Sequence, residues 1–456
     1  MESTSLGKIL KKVLIIGGGW AGLSAAVQAI KSGAKVTLIE AKNELGGRAR
    51  SVNLRGHTVD NGQHILIGAY RATLGLMSEV GLTPQTLLHR CRLSLLNNQS
   101  QGFELTGPHW LPLFFQFLLA TLKCQNWTLV DKWSLLQVSA QWFLQGFKCS
   151  ATSSVTEISE GASSLVMSTF ITPLCLSALN TPPESTSGQI FLRVLKDAML
   201  SGAGSSDFLI PRCTLGELFP QACERWLIQR GCVILKGKRL EQLPTVATPI
   251  EQAFSSDPLE APDAIIIACD ATNAARLTSQ LNPSWATSAQ SLEHTQIATT
   301  YIKCNDPTFK GLKRALTMLR SDSDSSGQIR APAQFVFDRR LLFTDNPGQS
   351  QENINKTLLA FVSSYATLTN DQISLAVMDQ ASKELGLQSL ELLGTITERR
   401  ATFFAKPGVV RPTYQVANGV WACGDYVQGP YPSTIEGAVL SGIQVFEKVI
   451  QSFQML

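Results

Sequence analysis

The chain carries little charge for its length. Of its 456 residues only 16% are charged, whereas 44% are hydrophobic, and the formal net charge is +4. Disordered chains have the opposite composition, so we expect a globular protein, and the length exceeds that of an average single domain. The mild positive charge, without an aromatic-basic motif, predicts no nucleic-acid partner. It is compatible with an anionic membrane surface.

Motifs that define other classes of protein are also missing. The ten cysteines contain no C-x-x-C pair and the five histidines have no metal-ligand spacing, so no metal is expected. We find no secretory signal, no internal repeat, and no apolar run of the about 18 residues that a transmembrane helix needs. We therefore expect a cytoplasmic protein whose thiols are mostly buried and reduced.

Residues 13–50 carry the strongest motif. An apolar strand leads into Gly17-Gly18-Gly19-Trp20-Ala21-Gly22, which fits G-x-G-x-x-G, and an Ala-rich helix and a second strand follow. In such a unit Gly17 permits a tight turn, Gly19 lets the backbone approach a pyrophosphate, and Gly22 lets helix and strand pack closely. The helix N-terminus favours phosphate. Glu40, 23 residues after Gly17, lies where an acid binds ribose hydroxyls. The stretch therefore predicts dinucleotide binding.

Two further motifs resemble those of the amine oxidase and phytoene desaturase superfamily of flavoproteins. The first is the glycine pair in Asn43-Glu44-Leu45-Gly46-Gly47-Arg48, which follows Glu40 directly. The second is Gly424-Asp425, which ends an apolar strand and precedes a helix start at Glu436-Gly437-Ala438. The resemblance implies FAD, with Arg48 beside the pyrophosphate and Asp425 binding the ribityl hydroxyls. It also implies that the helix starting near Thr434 points its positive end at flavin N1 and O2.

FAD motifs at opposite ends of one chain imply a discontinuous domain. We predict an α/β fold with a Rossmann-like FAD-binding domain, of the two-dinucleotide-binding and amine oxidase-like type, and an interleaved α+β substrate or cap domain. The predicted FAD-binding domain comprises residues 9–70, 205–275 and 405–456. The predicted substrate-binding domain comprises residues 71–204 and 276–404.

Residues 110–147 are strongly apolar, with aromatic and aliphatic residues at helical spacing. Three interpretations stay open: two core helices of a cap domain, a lid over a long lipid tunnel, or an apolar face that dips into a bilayer. Lys123, Lys132 and Lys148 at the edges suit an interfacial position. The third interpretation predicts a peripheral protein at the inner membrane surface.

A narrower resemblance rests on Asp60-Asn61-Gly62-Gln63-His64, on Leu179-Asn180-Thr181-Pro182, and on the residues around both FAD motifs. Together they resemble the bacterial hydroxysqualene dehydroxylases, also described as squalene-associated FAD-dependent desaturases, over nearly the whole chain. The resemblance implies an FAD-dependent oxidoreductase that removes the allylic hydroxyl of hydroxysqualene to give squalene in hopanoid-type biosynthesis. Hydride from flavin N5 would quench an allylic cation. The implied partners are a long isoprenoid substrate and an electron donor that the sequence does not identify.

The resemblance also implies the site residues. We expect the cofactor-binding residues to be Gly17, Gly19, Ala21, Gly22, Glu40, Gly46, Gly47, Arg48, Leu240 (through its backbone), Gly424, Asp425, Thr434 and Ile435. The departing hydroxyl needs a proton donor. His64 is the first candidate, because imidazole has the unperturbed pKa nearest to neutral pH. Gln63, Asp60 and Tyr431 are alternates, His64 can instead be a core histidine, and Asp60 can instead brace a turn.

Two other functions stay open. A carotenoid-type desaturase, or another amine oxidase-like flavin oxidase, transfers hydride in the opposite direction and shares every FAD residue, so substrate assays must distinguish it. A lipid-escort protein like the GDP-dissociation inhibitors shares this architecture without flavin chemistry. The intact set of Gly17, Glu40, Gly47 and Asp425 argues against the escort function, which a colourless purified protein would favour.

Overall fold

The computed structural model describes residues 11–108, 110–243, 261–320, 322–323, 329–343 and 358–454. Residues 9–10, 109, 244–260, 321, 324–328, 344–357 and 455–456 of the predicted domains therefore lie outside the described residues. Within the described ranges the chain builds two large sheets, one mainly parallel and one antiparallel, with helices packed against both. The arrangement has the predicted α/β character, with an α+β unit interleaved in the chain.

The mainly parallel sheet lies in one half of the structure. Its strands lie in the order Val233–Leu235, Lys35–Ile39, Lys12–Ile16, Ala264–Ile267, Val420–Ala422 and Gln415–Ala417. All neighbours pair in parallel except the last two, which are antiparallel. The central strands are continuous apolar runs because helices cover both faces of the sheet. The strands come from all three segments predicted for the FAD-binding domain, whose exact boundaries stay a prediction.

Two helices pack tightly beside this sheet. The first, Trp20–Lys31, follows the glycine loop, and the second, Ile435–Gln454, is the C-terminal helix. They approach so closely at Gly442 that a Cβ there would lie 2.3 Å from the carbonyl oxygen of Ala21. The Ser24 hydroxyl donates to the Val439 carbonyl at 2.9 Å. This contact holds the start of the C-terminal helix beside the glycine loop.

The antiparallel sheet forms the wall of the other half. Its strands lie in the order Leu316–Met318, Phe335–Asp338, Leu358–Ser364, His294–Cys304 and Leu390–Phe403. Side chains alternate between its two faces. One face packs on the helix Asn370–Leu385 through residues such as Phe361. The opposite face, with Phe335 and Phe337, turns towards a group of apolar helices.

Those helices form a cap over the antiparallel sheet. They are Leu113–Lys123, Leu129–Leu144, Val155–Ile158, Ser164–Val166, Thr172–Leu179 and Gly188–Leu200, with a π-helical turn, Met167–Ile171, between the fourth and fifth. A capping box between Thr128 and Asp131 starts the second helix. That helix buries Leu135, Val138 and Trp142 against the cap. None of the helices in the described residues is both long and apolar enough to span a bilayer.

The remaining elements connect the two halves. The helices are Arg71–Glu79, Pro84–Leu87, Leu215–Leu218, Pro220–Ile228, Ala271–Thr278, Pro283–Gln290 and Arg339–Leu342. Ser51–Leu54 pairs with His57–Asp60, Ser94–Leu96 with Gly102–Glu104, and Asp322–Ser323 with Ile329–Ala331. Phe208–Pro211 lies between Leu66–Ile67 and Leu88–Cys91. All ten cysteines are free thiols, and seven of them are buried.

Candidate functional site

The glycine loop has the geometry that a pyrophosphate needs. Gly17 has a φ of +116°, and a Cβ on Gly22 would lie 1.9 Å from the Gly17 carbonyl oxygen, so both positions require glycine. A Cβ on Gly19 would instead meet only the Cα of Gly47, at 3.8 Å. Gly19, Ala21 and Gly47 line the cleft beside the sheet. The loop thus leaves open, next to the helix N-terminus, the space that a phosphate group would fill.

The second glycine pair lies against the first loop. The Gly46 N–H donates to the Gly18 carbonyl at 2.9 Å. Gly46 and Gly47 have φ values of +111° and +66°, in the region that side-chain-bearing residues rarely adopt. This backbone bond brings Arg48 to the middle of the cleft.

Glu40 follows the strand Lys35–Ile39 and lines the cleft. Its Oε2 accepts from the Gly18 N–H at 2.7 Å, and its Oε1 accepts from the Lys42 N–H at 2.9 Å. The carboxylate therefore also braces the glycine loop. Leu240 lines the same cleft, and its carbonyl accepts from Arg276 at 2.8 Å. The backbone N–H is then the group of Leu240 that we expect to contact adenine.

Arg48 connects the N-terminal and C-terminal motifs. Its guanidinium forms an ion pair with Asp425 and donates to the Ala401 carbonyl at 2.8 Å. Burial opposes the charge of Arg48, but the Asp425 carboxylate outweighs it, so the pKa of Arg48 is raised. The Gly424 N–H donates to the Ser441 hydroxyl at 2.9 Å, which attaches the turn to the C-terminal helix. Asp425 thus holds Arg48 as well as lying where the ribityl hydroxyls are expected.

The start of the C-terminal helix also lines the cleft. Thr434 and Ile435 line the cleft, and the Gly437 N–H donates to the Thr434 hydroxyl at 3.0 Å. The adjacent Glu436 turns away and is buried. Its carboxylate accepts from the backbone N–H groups of Ala72 and Thr73, at 3.0 and 2.8 Å, and so caps the helix Arg71–Glu79.

A second cavity opens from the cleft into the cap. It lies between the antiparallel sheet and the cap helices, and side chains such as Leu113, Phe117, Phe170 and Phe337 line its walls. The residues that line both the cleft and this cavity are Arg48, His64, Ala401, Ser433, Thr434 and Ile435. The cavity is therefore apolar along its walls and polar where it meets the cleft. Such a shape suits a long apolar ligand with one polar group near the cofactor.

His64 lies at this junction. Its Nδ1 is 3.1 Å from the Gly62 carbonyl oxygen. Burial and the positive charge of Arg48 lower the pKa of His64, whereas the hydrogen bond to Gly62 and the negative charge of Glu398 raise it. Burial is the largest of these effects, so the pKa of His64 is lowered overall. Because the pKa is lowered, the ring is mainly neutral at neutral pH. In this form Nδ1 donates to the Gly62 carbonyl, which leaves Nε2 as an acceptor.

The three alternates occupy different positions. Gln63 lines the apolar cavity and donates to the Tyr301 hydroxyl at 2.9 Å. Asp60 and Tyr431 are not among the residues that line the cleft or the apolar cavity. Asp60 accepts from the Leu215 N–H at 2.8 Å and lies 3.7 Å from Arg339, a fully buried side chain. Burial raises the pKa of Asp60 to about 6. These contacts favour the bracing role for Asp60.

Sequence inspection missed Glu398 and Tyr70, which both line the apolar cavity. Glu398 lies on the strand Leu390–Phe403, two residues after Ile396, which packs on the cavity side of the sheet. Side chains two residues apart on a strand point to the same face, so the sequence alone places Glu398 on the face of Ile396. A charged residue on an apolar face is unusual, and this was the signal that could have identified Glu398. Among the described residues no group of His, Cys, Asp and Glu could hold a metal ion.

A Rossmann-type cleft of this form, continuous with an apolar cavity, defines an FAD-dependent oxidoreductase, and the residues of the cleft fit that cofactor. Residues 20–450 match the model of the flavin containing amine oxidoreductases, and the chain belongs to this family. Family membership confirms the predicted fold class, the FAD cofactor and the oxidoreductase class, and it argues against the escort function.

Relatives and solved structures agree with this assignment. Hydroxysqualene dehydroxylase from Sinorhizobium fredii is 24% identical over 451 residues, covering 95% of this chain and 96% of the relative. Hydroxysqualene dehydroxylase from Rhodopseudomonas palustris is 25% identical over 462 residues, covering 96% and 98%. An oxidoreductase of known structure from Methanosarcina mazei has a TM-score of 0.66 at 16% identity, covering 96% of this chain and 100% of that one.

Proposed function

We propose that this FAD-dependent oxidoreductase removes the allylic hydroxyl of hydroxysqualene and gives squalene. The observation that carries the proposal is the junction at which an apolar cavity meets the cofactor cleft beside Arg48, His64 and Thr434. Similarity to hydroxysqualene dehydroxylases over nearly the full length of both chains supports the substrate assignment.

The cavity walls supply most of the binding energy. An isoprenoid substrate offers apolar surface, and burying it contributes roughly 25 cal/mol per Å². Phe117, Phe170 and Phe337 bind such chains and exclude water, while the polar end selects the orientation in which the hydroxyl faces the cleft. Reduced FAD, when bound, supplies the hydride that replaces the hydroxyl.

The hydroxyl must leave as water, so it needs a proton. We assign His64 to this step because its Nε2 is the ring nitrogen left for a ligand, and Gln63 and Asn61 lie beside it in the lining. The C–O bond breaks with its electron pair on oxygen, which takes the proton and departs. Since the pKa of His64 is lowered, the proton-donating form is a minority at neutral pH and grows as the pH falls.

The cap helices favour contact with a membrane surface. Apolar side chains of these helices and of the turn before them are largely exposed, including Trp110 (80%), Trp133 (68%) and Leu144 (83%). The only acidic residue within 110–153 is Asp131, whose side chain is buried in its capping box, whereas Lys123, Lys132 and Lys148 lie in the same stretch. A surface of this kind is attracted to anionic lipid and inserts shallowly.

The helix Leu113–Lys123 forms part of both surfaces. Leu113 and Phe117 line the apolar cavity, whereas Phe114 and Phe115 are exposed on the outside. One helix therefore separates the cavity from the face that we assign to the bilayer. An isoprenoid dissolved in the membrane would have to pass only this helix to reach the cavity. The proposed membrane contact and the proposed isoprenoid substrate are therefore consistent with each other.

The function is tested by product analysis. Purified enzyme, reduced with dithionite without oxygen, is incubated with hydroxysqualene, and we expect squalene to accumulate as the flavin becomes oxidised. The control is the same enzyme with oxidised flavin. Absence of squalene, together with desaturation of a carotenoid precursor by the oxidised enzyme, would overturn the proposal in favour of a desaturase.

A further inference from the structure

Glu398 is a charged side chain in a mostly apolar wall. It lies near the end of the strand Leu390–Phe403, paired in register with Ile297, and its carboxylate faces the cavity that carries the substrate in the proposed function. The only other residue of that lining with a fixed charge is Arg48. The two charges lie on the wall of one cavity, but they are not equivalent.

The charge of Arg48 is already balanced. Its guanidinium forms an ion pair with Asp425 and donates to the carbonyls of Arg400 and Ala401. Glu398 differs, because within the part of the chain that the structure describes no Lys or Arg forms an ion pair with it. Its carboxylate accepts only long hydrogen bonds, at 3.4 Å, from the Asn61 side chain and from the Arg400 N–H.

The Glu398 carboxylate is partly exposed, and its charge acts on Arg48, Lys42 and His64 without a direct ion pair to any of them in the described residues. The same charge also acts on a ligand in the cavity, because the apolar walls screen charges less than bulk water does. It disfavours an anionic ligand and stabilises a cationic one. The wall is therefore preorganised for positive charge next to the cleft.

We propose that Glu398 stabilises positive charge on the ligand at the flavin end of the cavity, and this inference rests on the proposed function. When the C–O bond of the substrate breaks, the oxygen leaves with the electron pair, takes a proton from His64 and departs as water. The carbon left behind is an allylic cation, to which reduced FAD, when bound, would supply the hydride. Glu398 forms no bond in this step and keeps its charge. Its contribution is electrostatic and acts on the transition state more than on the neutral alcohol.

A cation-mimic experiment tests this role without turnover. N,N-dimethyldodecylamine, which is protonated at pH 7, and the neutral alcohol 1-dodecanol are titrated onto the oxidised, FAD-loaded enzyme, and binding is followed by the change in flavin absorbance. We expect Glu398→Gln to weaken binding of the amine at least about tenfold and to leave binding of the alcohol within about twofold. Glu391→Gln is the control, because Glu391 lies on the same strand, is exposed and pairs with Lys303.

A second measurement separates this role from a structural one. With reduced enzyme and hydroxysqualene, Glu398→Gln should lower kcat at least about tenfold with little change in KM, and Glu398→Asp should recover part of the loss. Equal binding of the amine by wild type and Glu398→Gln would overturn the inference, even if squalene forms. If no squalene forms in wild type but the amine still distinguishes the two enzymes, the proposed reaction fails while the cation-binding role stands.

Discussion

His64 is the residue at the junction whose protonation can be tested directly. Replacing it with Ala or Gln removes the proton donor, so we expect oxidation of the reduced flavin by hydroxysqualene to slow at least about 100-fold. FAD content should not change. In wild type the rate should rise as the pH falls below neutral, because burial lowers the pKa of His64 and protonation needs a lower pH.

Single-turnover stopped-flow measurements between pH 6 and pH 8 test this prediction. His89→Gln serves as the control, since His89 lies on the strand Leu88–Cys91, away from the residues that line the cleft and the cavity. Rates within a few-fold of wild type in both His64 variants would show that His64 is structural. Tyr70, a phenol in the cavity lining, would then be the next candidate.

Asp60 should affect stability rather than chemistry. Its folded pKa is about 6, whereas an unfolded Asp has a pKa of about 3.9, so the folded protein holds this proton more tightly. The contribution of Asp60 to the free energy of unfolding should therefore fall by roughly 3 kcal/mol as the pH rises from about 4 to about 6. Asp60→Asn removes that dependence.

Urea unfolding of wild type and Asp60→Asn across this pH range measures the difference. We expect a flatter profile for the variant, and a rate of flavin oxidation by hydroxysqualene within a few-fold of wild type. Parallel pH profiles would contradict the burial-raised pKa. A large loss of rate at a temperature where the variant is folded would return Asp60 to the list of proton donors.

Among the secondary-structure elements, the two apolar helices Leu113–Lys123 and Leu129–Leu144 are the parts that we assign to the membrane. The triple variant Phe114→Ser, Phe115→Ser, Trp133→Ser removes exposed apolar area, so binding to anionic vesicles should weaken at least about tenfold. Wild-type binding should itself weaken at high salt because the lysines contribute. Vesicle co-sedimentation measures both effects.

Two comparisons make this prediction specific. Leu375→Ser and Val410→Ser change side chains that are each 74% exposed but lie outside the cap, and they should leave vesicle binding unchanged. Phe117 is excluded from the triple variant because it is buried, packs on Phe103 and lines the cavity. If the triple variant loses flavin or unfolds, these side chains belong to the core and the interfacial assignment is wrong.

The elements that sequence predicted well are those encoded by local motifs. The glycine loop, the helix Trp20–Lys31 and the strand Lys35–Ile39 are specified by adjacent residues. Elements that depend on distant partners were harder. Val233–Leu235, for example, pairs in parallel with Lys35–Ile39, which lies far away along the chain. The Asp60-Asn61-Gly62 turn joins strands that belong to different sheets, because Leu66–Ile67 pairs with Phe208–Pro211.

The same limit applies to the site. Gly17, Gly19 and Glu40 could be placed in the cleft from their spacing along the chain, and Asp425 from the resemblance to other flavoproteins. Glu398 could not, since its position depends on the register of a strand against Ile297, more than 90 residues earlier. Asp60 lies next to a motif, yet its side chain turns towards Leu215 and Arg339, and sequence alone does not give that direction.

For the molecule as a whole, the cofactor cleft exists only because both ends of the chain meet. Gly442 packs on Ala21, and Arg48 pairs with Asp425, so segments separated by nearly the full sequence share one site. A ligand that contacts both segments must stabilise the folded state by mass action. We therefore expect the thermal midpoint of the apoprotein to lie below that of the FAD-loaded enzyme and to rise with FAD concentration.

Asp425→Ala tests this coupling together with the placement of the C-terminal motif. The variant removes the partner of Arg48 and the acceptor expected for the ribityl hydroxyls, so FAD binding should weaken by roughly 1.5–3 kcal/mol. Flavin content after purification and the FAD dependence of the thermal midpoint measure the effect. Asp379→Ala is the control, because Asp379 pairs with Lys383 on the exposed face of a helix. Full flavin occupancy in Asp425→Ala, with an unchanged FAD dependence, would show that the ion pair stabilises the fold without contributing to the cofactor site.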